Sequence, residues 1–254
     1  MHLLCRRNDM ELKVINSGSK GNGYALNSNN EILLLECGVP VKEMLKSIDY
    51  QTNKVVGCLL THSHGDHVSG IKSYMQYGIK VYSSDEVHED VKTIYGERTV
   101  RLQRMKQVWI GSFGVIPFRV PHSETECDGY LIFHYKIGNL LFITDAEYCP
   151  FDFSNMGINH VMVECNYSEN YISRAEDYGK FEHVLRGHME IQTCKRLIQV
   201  INSPSLRSIG LLHLSGGSSH PERFRSEISD LVDCDVNVWV AEKGFQTELG
   251  LNPF

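Results

Sequence analysis

The sequence predicts an α/β protein in which two sheets are held between helices. Short strand-like runs dominate the start and the middle of the chain, amphipathic helices punctuate both halves, and no linker divides the 254 residues. One domain spanning 1–254 follows. Residues 1–9 are expected to form a peripheral extension, because strand-like ELKVINS begins directly after Met10.

Strands are expected over about 11–16, 24–28 and 32–36, with the turn-rich SGSKGNG between the first two. PVKEMLKSI reads as a helix, its proline at a first-turn position where the missing N–H costs nothing. KVVGCLLTH is a buried strand that runs into a histidine cluster. VSGIKSYMQYG is a short helix closed by Gly78, and IKVYSS is the next strand. From 98 to 143 the pattern is nearly all strand, broken at GSFG, at a PHSETE loop and at KIGN. NHVMVECN is a further buried strand. In HMEIQTCKRLIQVI, the residues Ile191, Cys194, Leu197, Ile198 and Ile201 fall on one helical face. SIGLLHLS is a strand, PERFRSEISDLV a helix, and NVWVAEKGFQTEL a closing hairpin-like pair.

Composition excludes several classes of function. No run of about 18 apolar residues exists, so no membrane helix is expected, and MHLLCRRNDM is too short in apolar length for a secretion signal. The 8 cysteines show no CxxC pair and several lie in apolar runs, which points to reduced thiols and a cytoplasmic chain. With 25 basic and 31 acidic residues the net charge is −6, so the chain lacks the surplus that grips long nucleic acid.

The chemistry concentrates in THSHGDH. His62 and His64 alternate at the end of a strand and can reach one cation from a shared face. Asp66 and His67 follow a glycine turn and can face a second cation. Imidazole with carboxylate suits zinc, manganese or iron. Apolar strands deliver three more polar residues to their ends: His122 in VPHSE, Asp145 in FITDAE and His213 in LLHLS.

The series THSHGDH, VPHSE, ITDAE and LLHLS resembles the metallo-β-lactamase superfamily across nearly the whole chain. That resemblance implies an αββα four-layer sandwich with two divalent cations, zinc or manganese, at one edge. His62, His64 and His122 would hold the first metal, Asp66, His67 and His213 the second, and Asp145 would bridge them. Where true β-lactamases carry a bridging-motif cysteine stands Asp145, the form of phosphodiester, thioester and lactone hydrolases. The interval from Asp145 to His213 is too short for the β-CASP insertion, and that from His122 to Asp145 too short for a tRNA-gripping arm.

GHMEIQTCKRLI places His188 at the opening of a helix, like the G-H helix of the phosphodiesterase branch, where this histidine serves the leaving group. Asn166 and Tyr167, with SGSKGNG, resemble the YycJ/WalJ-type exonucleases and the phage anti-Pycsar phosphodiesterases, which act in a host cytoplasm. The expected activity is hydrolysis of small nucleotide phosphodiesters, 3′,5′-cyclic ones foremost, with Asp66 and His188 as catalytic residues. A YycJ-like exonuclease acting on a DNA end is the alternative, a thioester or lactone hydrolase a further one, and a catalytically dead nucleotide sensor the last. Amides of Ser215 and Gly216 in SGGSS offer a phosphate contact, against a plain helix cap at Ser219. SGSKGNG lacks the GK[ST] ending of a P-loop and reads as a tight turn. Tyr148, Tyr167, Tyr171 and Tyr178 are candidates for base stacking or ordinary packing, and the histidines at 88, 134, 160, 183 and 220 read as structural. A shallow site with no inserted arm leaves a small ligand poorly enclosed, which predicts a homodimer.

Overall fold

The computed structural model describes residues 10–91, 98–171 and 187–251. The first sheet contains β1 (Met10–Asn16), β2 (Gly23–Asn27), β3 (Ile32–Leu35), β4 (Val55–Leu59), β5 (Val81–Ser84), β6 (Thr99–Leu102) and β14 (Gln246–Leu249). Their order is β14-β1-β2-β3-β4-β5-β6. The second holds β7 (Val108–Ile110), β8 (Phe113–His122), β9 (Thr125–His134), β10 (Gly138–Ile143), β11 (Ile158–Glu164), β12 (Ser208–Leu212) and β13 (Asn237–Val240), in the order β13-β12-β11-β10-β9-β8-β7. Each sheet is antiparallel on one side and parallel on the other.

Helices cover both outer faces. On the first sheet lie α1 (Val41–Ser47), α3 (Ile71–Gln76) and α4 (Asp85–Val91), with the single turn α2 (Gly65–Val68) at the sheet's end. On the second lie α5 (Ile191–Ile201) and α6 (Pro221–Ser229). The result is an αββα sandwich with three apolar layers. Its sequence logic is plain in β3, where Leu33 and Leu35 enter the core between the sheets while Ile32 and Leu34 meet α1 and its neighbours. In β10, Leu140 and Phe142 point inward and Leu141 and Ile143 outward. Strands buried on both faces read as unbroken apolar runs rather than alternating ones. The five apolar residues expected on one face of α5 are all buried, the isoleucines and Leu197 each contributing roughly 1.5–3 kcal/mol. No described helix is long and apolar enough to cross a membrane.

Two local expectations are corrected, and one helix goes unread in the sequence. The closing pair is not a hairpin: β13 joins β12 in one sheet, and β14 crosses to pair with β1 in the other. Gly244, at φ +83°, turns the chain between them and donates its N–H to the Val14 carbonyl at 2.9 Å. Apolar spacing cannot say which sheet a strand joins. The expected PHSETE loop shrinks to a tight turn, since β8 and β9 pair as far as His122↔Thr125. Finally, α4 was not expected, because only Val87 and His88 of DEVHEDV are buried; Asp85 and Glu86 suit its positive N-terminal end.

Candidate metal centre

The site lies at one rim, where strands of both sheets end. His62 lies just beyond β4, His122 closes β8, Asp145 follows β10, Glu164 closes β11 and His213 follows β12. Ligands of open α/β sheets gather outside the carboxyl ends of such strands. Asp145 and His213 take left-handed backbone conformations, φ +44° and +53°, which turn them off the strand path. L-residues adopt this region only when their surroundings force it.

Two overlapping groups of ligand atoms hold the expected residues, the atoms of each lying within 4.8 Å of one another: His62, His64, His122 and Asp145, then Asp66, His67, Asp145 and His213; a third group, Asp145, Glu164, His188 and His213, overlaps both. All seven residues expected from the sequence are thus brought together, with Asp145 common to every group. The far nitrogen of each imidazole is tied down. His62 Nδ1 shares a 2.9 Å hydrogen bond with Thr61 Oγ1, and His64 Nε2 one of 3.0 Å with Thr125 Oγ1. His122 Nδ1 donates to the Gly187 carbonyl. The opposite nitrogens then face inward, His64 Nδ1 and His122 Nε2 lying 3.0 Å apart. In the second group, His67 Nδ1 is 3.3 Å from Glu36 and its Nε2 is 3.4 Å from Asp145. His213 Nε2 is 3.3 Å from Asp66 and 3.8 Å from Asp145. Fixing one ring nitrogen decides which atom can bind a metal.

Buried His62 Nε2 has no hydrogen-bond partner among the described residues, which is costly for a polar atom unless it serves as a ligand. The donor set, imidazoles and carboxylates in two groups sharing one aspartate, fits a pair of divalent cations. Charge follows the same layout. Burial holds His62 well below its ordinary pKa, with His67 adding to the effect. Burial opposes charge on His213 too, yet Asp145, Asp66 and Glu164 outweigh it and push the ring up to about 10. Asp145 stays well below the usual carboxylate range, because His213 and His67 outweigh its burial.

A family model described as Anti-Pycsar protein Apyc1 matches residues 19–88, which include the histidine cluster. The Anti-Pycsar protein Apyc1 of Bacillus phage 010DV004 is 31% identical over 28% of this chain and 30% of its own length. The Exodeoxyribonuclease YycJ of Bacillus anthracis is 23% identical over 93% of this chain and 91% of its own. The metallo-β-lactamase fold protein YhfI from Bacillus subtilis superposes with a TM-score of 0.73 at 20% identity, covering 94% of this chain and 99% of that one. The chain has the metallo-β-lactamase fold.

Within this metallo-β-lactamase fold, four further residues support the cluster: Glu36 and Glu164, which sequence reasoning missed, and Asn166 and Asn22, which it noted only for a family likeness and as part of a turn. Asn22, in the SGSKGNG turn, donates its backbone N–H to the Asp66 carbonyl at 2.7 Å, and its Nδ2 lies 2.9 Å from His67 Nε2. Asn166 Nδ2 donates to the His213 carbonyl at 2.7 Å and lies 3.0 Å from its Nδ1. Glu36 backs His67, as described above. Glu164 sits 2.6 Å from His188 Nδ1 and accepts the N–H groups of Ala146 and Met189 at 2.8 and 3.1 Å. The overlooked signal is an acid closing an all-buried strand, in LLLEC and in VMVEC.

His188 does not open α5, whose cap is Glu190; it lies just before the cap, stacked on His213 at 5.3 Å and 15°. Its position is set by Glu164. That carboxylate outweighs burial and raises the imidazole above its ordinary pKa. Ser215 gives its N–H to the Asn166 carbonyl at 2.9 Å and so cannot offer it to a phosphate; Gly216 is exposed in the same turn. His220, not Ser219, caps α6. Structural partners hold His88, His134 and His160, namely the Val100 carbonyl, Ser112 and Ser208. Tyr167 is buried and Tyr171 packs on Phe224, whereas Tyr148 is half-exposed. His183 and Tyr178 lie outside the described residues. The seven described cysteines are unpaired, and Cys5 lies outside the described residues.

Proposed function

We propose that the chain is a two-metal phosphodiesterase hydrolysing small nucleotide phosphodiesters, 3′,5′-cyclic nucleotides foremost. The observation that carries this is the His188–Glu164 pair beside the cluster, 2.6 Å from nitrogen to oxygen. An alkoxide leaving group needs a proton, which this pair is built to hold; a thiolate leaving a thioester does not. His62, His64, His122 and Asp145 would hold one cation and Asp66, His67, His213 and Asp145 the other, zinc or manganese by donor type. Such a pair of cations supplies Lewis-acid stabilisation of the charge that builds on the phosphate.

The chain's own residues do the rest. Asp66, whose side chain is 21% exposed against 2% for Asp145, reaches the mouth of the site and orients the attacking water. As the water oxygen gives up a proton to Asp66 and bonds to phosphorus, the ester bond breaks and His188 Nε2 donates its proton to the departing oxygen. Glu164 holds the ring through Nδ1 and stabilises its charged form before transfer.

The anti-Pycsar matches support the cyclic-nucleotide reading, with a phage-encoded enzyme silencing an immune signal in a host cytoplasm. The full-length likeness to an exodeoxyribonuclease favours a second reading, the same chemistry at a DNA end. A net charge of −6 weighs against it. The working unit in this proposal is a homodimer, in which a second subunit completes the wall of an open site. Assaying the metal-loaded protein against cyclic mononucleotides, linear DNA and a thioester decides among these. Fastest turnover of a cyclic nucleotide is expected; preference for DNA would select the exonuclease, and turnover of the thioester alone would overturn both.

A further inference from the structure

We propose that the cavity beside His122 is a nucleoside subsite in which the substrate's base stacks on Tyr148. This rests on the phosphodiesterase reading above and adds to it where the non-reacting part of the substrate sits. The cavity measures about 350 Å³, and His122 of the metal cluster forms part of its wall, so it adjoins the place where a phosphate would bind. Facing His122 is the loop after Asp145, which contributes Tyr148, Pro150 and Phe151. The volume lies near the lower end of small-molecule pockets, roughly 300–1,000 Å³, with room for one nucleoside rather than a run of nucleotides.

Tyr148 is 50% exposed, so the core does not consume its ring. The loop that carries it is nevertheless braced. Glu147 donates its N–H to the Pro121 carbonyl at 2.9 Å and accepts the Ser123 N–H at 3.2 Å. Phe151 packs edge-on against buried Phe118, with centroids 5.5 Å apart. An aromatic platform held in place loses little freedom when a ligand covers it.

Charge narrows the choice of ligand. The charged side chain on this wall, Arg119, is paired with Glu126 at 2.7 Å, and Thr125 Oγ1 is engaged with His64. What the cavity presents is therefore flat, aromatic and close to neutral. A second phosphate gains nothing there, whereas a nucleobase gains a stacking surface.

The test is calorimetry on the zinc-loaded protein, with adenosine 5′-monophosphate and ribose 5-phosphate as probes and cyclic-nucleotide hydrolysis measured in parallel. Wild type should bind the nucleotide about 5- to 150-fold more tightly than the sugar phosphate, the range that stacking on one aromatic ring provides. Tyr148→Ala should erase that preference and raise KM for the cyclic nucleotide, while Tyr148→Phe should keep both near wild type. Equal binding of the two probes by an active wild type overturns the subsite alone, as does a Tyr148→Ala variant that retains the preference. Failure to hydrolyse any phosphodiester overturns the phosphodiesterase reading and the subsite with it.

Discussion

Replacing Glu164 with glutamine tests the proposed proton donor without altering the donor itself. The side chain keeps its shape and loses its charge and one acceptor oxygen. One carboxylate oxygen accepts from the Ala146 and Met189 amides at 2.8 and 3.1 Å, so the glutamine oxygen must stay there. Its NH2 group then faces His188 Nδ1, where the other carboxylate oxygen stands at 2.6 Å. The charge-assisted bond that orients the imidazolium is lost. Such bonds contribute about 1.5–3 kcal/mol, which converts to a fall in turnover of about 10- to 150-fold. His188→Ala removes the donor outright and should cost about 10²–10⁴-fold. Because Glu164 acts through His188, the double variant should fall no further than His188→Ala alone. The assay compares a cyclic nucleotide with a nitrophenyl phosphodiester, whose leaving group needs little protonation and should be far less sensitive, and it tracks metal content by mass spectrometry. Losses that multiply in the double variant would refute the reasoning, as would equal losses on both substrates. Departure of metal from His188→Ala would show the histidine to be a ligand.

Other perturbations probe the cluster and its supports. Asparagine tolerates the left-handed backbone at Asp145, so Asp145→Asn should fold, lose activity and hold fewer than two metals per chain; two retained metals would contradict the bridging role. Stripped of metal, the protein carries His213 with a pKa of about 10, raised above its unfolded value of about 6.5. That stabilisation is complete below about 6.5 and lost as pH rises through about 10, so the melting temperature of the stripped protein should fall across this window more than that of the loaded protein. Metal uptake near neutral pH must then displace protons, and a calorimetric enthalpy that does not vary with the buffer would disprove it. At Gly38 an added Cβ would stand 1.6 Å from the Asp66 carbonyl oxygen. Gly38→Ala should therefore destabilise by about 3 kcal/mol, the upper part of the overpacking range, and weaken metal retention; unchanged melting would mean that the Asp66 turn moves freely.

The seven proposed ligands were legible because each is a polar residue at the end of an apolar run, and such runs can be recognised locally. His62 to His67 needed only the geometry of one strand end and one turn. What was hidden depends on contacts between distant parts of the chain. Nothing within NVWVAEKGFQTEL says that Val240 ends beside β12 while Gln246 begins beside β1. The SGSKGNG turn gives its turn character away through its glycines, but not that Asn22 braces Asp66, because that contact joins residues 44 positions apart in the chain. For His188 the sequence signals a place near the cluster but not the local setting, since the helix start is fixed by Glu190 accepting the Gln192 N–H.

Glu36 and Glu164 escaped notice for a different reason: a charge inside an apolar strand looks like a strand's accidental end. Each is fully buried, and each sits behind a histidine of the cluster, Glu36 behind His67 and Glu164 behind His188 and His213. Buried carboxylates are expensive unless compensated. Together with Asp66 and Asp145 they bring four carboxyl groups to one rim. Two divalent cations among neutral imidazoles would balance four carboxylate charges, and a proton held on His188 by Glu164 would then leave one positive charge in excess. A phosphodiester carries one negative charge. Under the proposed reading the supporting acids would do more than orient rings: they would match the charge of a metal-loaded site to that of a phosphodiester, which a site built from histidines alone would overshoot.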